Sequence, residues 1–96
     1  MAEYRLSRRA QRDLDEIFDY TVAQWNLQQA LRYTDTLEAA CGALAEAPQK
    51  AQDCAHIRPG YRRLRVAQHV IYFRATPYGI AVIRILHQRM DSPRHL

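Results

Sequence analysis

Apolar residues recur along this chain with two different periods, and the change of period divides it into a helical first half and a stranded second half. Residues 2–6 alternate, with Tyr4 and Leu6 on one side and Glu3 and Arg5 on the other, which predicts a short strand. Ser7 stands where its hydroxyl can cap a helix N-terminus. Ala10, Leu14, Ile17, Phe18, Thr21 and Trp25 follow at helical spacing, while Asp13, Asp15, Glu16 and Asp19 fall on the other face. Asn26 breaks this pattern. A second helix is predicted over residues 27–47, with Ala30, Leu31, Tyr33, Leu37, Ala40, Cys41 and Leu44 as its apolar stripe, and Pro48 ends it. Trp25 and Phe18 are expected in the core.

Residues 48–60 read as a connection, after which the period drops to two. Strands are predicted over 61–66, 69–75 and 80–87, with Pro77, Tyr78 and Gly79 supplying the last turn. The last strand is apolar on both faces, Ile80, Val82 and Leu86 on one and Ala81, Ile83 and Ile85 on the other, which marks it as interior to the sheet. The order predicts one α+β domain over residues 1–96. It has an N-terminal strand, an antiparallel helical hairpin on one face of the sheet and a three-stranded antiparallel meander, with residues 88–96 a polar, basic tail.

Length and composition sharpen this picture in two ways. Ninety-six residues make one domain with a modest core, and 48% hydrophobic residues argue against disorder. No run approaches the roughly 20 apolar residues of a membrane span. The first residues show no apolar signal region, so the expected location is the cytoplasm. The charge is distributed unevenly. Residues 1–52 hold six basic and eight acidic side chains, whereas residues 54–90 hold no acidic residue and seven arginines. The second half therefore presents a positive surface suited to nucleic acid or an acidic protein segment. Lys50 is the single lysine, and the planar arginine fork favours specific contacts to phosphate or carboxylate.

Motifs for nucleotide cradling, zinc ligation or metalloprotease chemistry do not occur. His56, His69, His87 and His95 lack ligand spacing, so neither metal nor cofactor is expected. Cys41 falls on the helical stripe as a small core residue, whereas Cys54, in the connection, is free to be exposed. Arg84 interrupts an apolar strand. It is either tied to a carboxylate such as Asp13 or Asp19, or forms the floor of a basic cleft. His87, three residues on, faces the other way on a regular strand and makes no direct pair with Arg84 unless the strand is bulged. The run Tyr61-Arg62-Arg63-Leu64-Arg65 places at least one arginine on each face, as a nucleic-acid surface or a guarded edge strand would.

Four segments, taken in order, resemble one family. Tyr4-Arg5-Leu6-Ser7 with Ala10, Asp13-Leu14, Ile17, Tyr20 and Trp25 is similar to the opening of ParE-type toxins of the RelE/ParE superfamily. Pro59-Gly60-Tyr61-Arg62-Arg63 is similar to their central strand entry. His69 to Arg74 and Arg84 to Asp91 are similar to their last two strands. The resemblance implies a toxin of a type II toxin–antitoxin system that inhibits DNA gyrase and is neutralised by a ParD-like antitoxin in a hetero-oligomer. Operator DNA would then be met only through the antitoxin. It implies no catalytic residues, and it makes Arg62, Arg63, Arg65, Arg84, His87 and Arg89 candidates for toxicity and Arg58 and Arg74 candidates for antitoxin binding. The related RelE nucleases, which cleave mRNA on the ribosome, are the alternative. They use basic residues with a tyrosine after the last strand, and here no tyrosine follows Tyr78.

Overall fold

The computed structural model describes residues 2–96. The chain runs β1 (Glu3–Leu6), α1 (Arg8–Gln24), α2 (Leu27–Glu46), a single 3-10 turn (Pro48–Lys50), β2 (Gln52–Asp53), β3 (Tyr61–Val66), β4 (His69–Thr76), β5 (Gly79–His87) and the short α3 (Ser92–His95). This is the α+β architecture expected from the periodicity. The strands form one sheet in the order β1-β5-β4-β3-β2, with β1 parallel to β5 and every other pair antiparallel.

Local chemistry sets the helix boundaries. The Ser7 hydroxyl accepts from the Ala10 N–H at 3.0 Å, and the Asn26 side chain accepts from the Gln29 N–H at 2.8 Å, so the residue that interrupts the first helix caps the second. The helices pack on one face of the sheet through Ala10, Leu14, Ile17, Leu37, Cys41 and Leu44, against Ile71, Phe73, Ile80, Val82 and Ile85. A smaller cluster lies on the opposite, open face. There Cys54, Tyr72 and Leu86 are buried beneath Ile57, Tyr61, Val70 and Leu96.

Several expectations are corrected. Trp25 is 73% exposed, because α1 ends at Gln24 and the helical period no longer sets its direction. Leu31 is exposed as well, and Phe18 is only half-buried. Cys54 is fully buried under the open-face cluster rather than exposed, since its N–H bonds back to the Tyr61 carbonyl and draws the connection onto the sheet. Asp13 belongs to the buried stripe of α1 with Ala10, Leu14, Ile17 and Thr21, not to its polar face. The connection also contributes β2, and residues 92–95 form α3 with Leu96 seated on the open-face cluster.

The faces of β5 also differ from a simple alternation. Tyr72 of β4 pairs with Arg84, but the next residue, Phe73, pairs with Val82, so Ile83 is an extra residue in a bulge. The bulge shifts the phase. Ile80, Val82 and Ile85 share the helix-covered core, while Leu86 joins the open-face cluster. Arg84 interrupts a predicted apolar row only because that row assumed an unbroken strand. β1 pairs with β5 only as far as Val82. Beyond that point α1 supplies the partners: the Ser7 hydroxyl donates to the Ile83 carbonyl at 2.7 Å, and Asp13 accepts from the Ile85 N–H at 3.0 Å.

Candidate functional site

The singled-out residues separate onto two sides of the sheet. On the helix side, α1, the end of α2 nearest it and the ends of β4 and β5 enclose two adjoining clefts of about 290 and 320 Å³. Tyr20, His69 and His87 line both. Trp25 and Tyr33 continue the lining at one end, and Ile85, Met90 and Arg84 at the other. Tyr20, Trp25, Leu27 and Leu31 expose a large apolar surface around the tip of the hairpin.

Arg84 reaches into this region but is fully engaged. Its Nε and Nη2 donate to the two Asp13 carboxylate oxygens at 2.7 and 2.8 Å, and its Nη1 donates to the His95 carbonyl at 3.0 Å. The two side chains are 11% and 10% exposed. The hydrogen bonds to Asp13 raise the Arg84 pKa against the opposing effect of burial. Of the two sequence readings of Arg84, the carboxylate-tied arginine is the arrangement present.

His69 and His87 are directly opposite each other on β4 and β5, with ring centroids 5.4 Å apart in an edge-to-face arrangement. The Tyr33 hydroxyl accepts from the Gln68 N–H at 3.2 Å and shares a hydrogen bond with His69 Nδ1 at 2.7 Å. His87 Nδ1 accepts from the Arg89 N–H at 3.1 Å. With its Nδ1 accepting a backbone N–H, the neutral tautomer of His87 carries its proton on Nε2. Burial, reinforced by the facing His87 and opposed by Asp13, lowers the His69 pKa to about 4. Burial, then Glu38, pushes the Cys41 thiol up to about 12, which leaves it without nucleophilic character.

The arginines of β3 and β4 lie otherwise. Arg63 is opposite Tyr72 and Arg65 opposite Val70, both on the open face, and Arg74 stands opposite Tyr61 on that face. Arg62 has the same parity as Leu64 and Val66, which pack on the helix-side core, and it donates to the Ala51 carbonyl at 2.9 Å. The run Tyr61–Arg65 therefore presents arginine to both faces, as its alternation predicts, with Arg62 on one and Arg63 and Arg65 on the other. Arg58 donates to the Leu96 carbonyl at 2.8 Å, and Arg89 is exposed beyond β5. Among the described residues only Arg5–Glu3 and Arg84–Asp13 are ion pairs, so the open-face arginines carry uncompensated charge. Tyr20 and Tyr33, which sequence reading had not placed near His87, arrive there from the helices. Their spacing along the helical hairpin was the available signal, but the facing of α1 against the end of β5 was not legible.

Comparison with known proteins places this arrangement. The family model described as the ParE toxin of type II toxin-antitoxin system, parDE, matches residues 4–92. The chain belongs to the ParE toxin family. It is 41% identical over 96 residues to Toxin ParE1 of Caulobacter vibrioides, covering 100% of this chain and 99% of that one. It is 43% identical to Toxin ParE1 of Mycobacterium tuberculosis, with 99% and 98% of the two chains covered. Toxin ParE of Escherichia coli is 33% identical over 93 residues. A solved structure titled as a chromosomal ParDE TA system from P. aeruginosa shares the fold, with a TM-score of 0.78 at 24% identity over 91% of this chain and 96% of that one. As a ParE-family toxin of a type II system, the chain implies an antitoxin partner. No helix among the described residues is long and apolar enough to cross a membrane.

Proposed function

We propose that this ParE-family chain is a non-enzymatic toxin that stops growth in the cytoplasm by acting on DNA gyrase and is held inactive by a ParD-like antitoxin. Family membership supports the target. One observation carries the non-enzymatic reading: the facing histidines lie on the helix side, whereas Arg63, Arg65 and Arg74 lie on the open face. In-line cleavage of RNA needs a base, an acid and a phosphate stabiliser around one phosphorus. His87, His69 and Tyr20 gather on the helix side, where the arginine that lines the cleft, Arg84, has its nitrogens committed to Asp13 and the His95 carbonyl. Arg63, Arg65 and Arg74 are across the sheet.

The helix-side clefts suit the antitoxin. An amphipathic segment that folds on binding would seat apolar side chains against Tyr20, Trp25, Ile85 and Met90, with its acidic residues reaching toward the basic half. Arg74 is exposed for such a contact, whereas Arg58 would first have to release the Leu96 carbonyl. The antitoxin, not this chain, would carry the operator-DNA contact within the hetero-oligomer.

The test is induction of this chain alone in a bacterium, followed by labelled DNA and protein synthesis over the first minutes. DNA synthesis falling first, together with a DNA-damage response, is the expected result. Protein synthesis falling first would overturn the proposal in favour of a ribosome-dependent mRNA endonuclease with His87 as a proton carrier.

A further inference from the structure

The open face holds a third cleft, of about 330 Å³, between β3 and the segment that follows β5. Its walls are Arg63 and Arg65 with Gln52 on one side and Gln88, Met90 and Ser92 on the other, over a floor of Val70 and Tyr72. No carboxylate lines it. Asp91 lies in the same segment but outside the lining. Arg63 uses its Nε on Gln52 Oε1 at 3.3 Å, and Arg65 uses its Nε on the Ala67 carbonyl at 3.1 Å. These bonds orient both guanidinium groups while their terminal nitrogens bond no other described residue. Two oriented forks, neutral donors and no competing anion form a site for an oxyanion.

We propose that this cleft binds the phosphodiester backbone of single-stranded nucleic acid. Arg63 and Arg65 are two positions apart on one strand face, about 6.6 Å along it, a step comparable to one nucleotide of an extended strand. An acidic protein segment is the weaker fit, because a folding segment needs an apolar seat, and the apolar clefts of this chain are on the helix side. Binding is a property of the isolated chain and does not depend on the gyrase reading. Its use on DNA held by gyrase rests on that reading.

The experiment is fluorescence anisotropy of labelled single-stranded DNA, single-stranded RNA and duplex DNA with the full chain across a salt series. Single strands of mixed sequence should bind, DNA and RNA being separated by their relative affinities, with affinity falling as salt rises. Arg63→Ala with Arg65→Ala should weaken binding to every sequence alike and lower the salt slope by about 0.7 for each arginine removed. Arg9→Ala with Arg12→Ala removes the same charge from the exposed side of α1 and should leave the slope unchanged. Arg63→Lys with Arg65→Lys should retain the slope, and far-UV circular dichroism of each variant reads folding separately. Equal losses in the two alanine pairs, tighter binding of duplex than of single strands, displacement by poly-glutamate as readily as by oligonucleotide, or no binding at all would each overturn the proposal. Any of these outcomes leaves the order of DNA and protein synthesis arrest untouched, so the two proposals fail separately.

Discussion

Replacing Asp13 by alanine removes three acceptor contacts in one step. Arg84 loses both carboxylate bonds, and the Ile85 N–H loses its sole partner beyond the end of β1. Both side chains of the pair are about nine-tenths buried, so the stranded guanidinium is poorly hydrated. Breaking a buried pair from one side costs about 3–5 kcal/mol, against a total stability of about 5–15 kcal/mol for a domain of this kind. The expected loss in thermal midpoint is roughly 12 °C or more, at about 4–8 °C per kcal/mol for a domain of this size. Urea unfolding of Asp13→Ala, Arg84→Ala and the combined variant completes a double-mutant cycle. The combined variant should lose far less than the sum of the singles, with a coupling of about 2 kcal/mol or more. An Asp13→Ala loss under about 1 kcal/mol, or strict additivity, would refute the reasoning. The same variants separate stability from toxicity. If Asp13→Leu with Arg84→Met folds and still arrests DNA synthesis, Arg84 holds the structure and does not touch the target.

Other perturbations have equally definite outcomes. A Cβ at Gly79 would meet the Glu3 carbonyl oxygen, and Gly79 has φ 142°, so Gly79→Ala should detach β1 from β5, read as loss of amide protection at residues 3–6 in hydrogen exchange. The lowered His69 pKa, about 4 against 6.5, means that the unfolded chain takes up this proton first. The stability due to neutral His69 is complete above pH 6.5 and is lost as pH falls toward 4, and His69→Gln should flatten unfolding midpoints measured across that window. Ala67 holds φ 53° in the β3–β4 turn, and Ala67→Gly should stabilise the chain by about 0.5–1 kcal/mol as left-handed strain is relieved, measured by urea unfolding.

The helices and the meander were legible because their cores repeat with clear periods: Leu37, Cys41 and Leu44 on α2, Ile71 and Phe73 on β4. Asp13 was misplaced for a physical reason. A carboxylate three residues after Ala10 and one before Leu14 sits within the buried stripe, but its burial depends on an arginine 71 positions away. The bulge at Ile83 was equally hidden, since both phases of β5 are apolar and neither hydropathy nor turn chemistry chooses between them. Trp25 was misread because stripe membership was extended one residue past the helix end. Of the candidate site, the excess of arginine was plain in the sequence. The sorting of Arg63 and Arg65 from Arg62 needed strand parity, and the engagement of Arg84 needed α1 in place.

The handover from β1 to α1 along β5 has a consequence for how this chain meets others. A strand with a bare row of N–H and C=O groups is a template on which a strand of another molecule can grow, the usual route to misassembly of small sheet proteins. β5 would be such a template past Val82. Ser7 and Asp13 fill those positions with side-chain oxygens instead, one donating to the Ile83 carbonyl and one accepting from the Ile85 N–H. The helix therefore acts as a surrogate neighbour that cannot itself be extended over the part of β5 that β1 leaves uncovered.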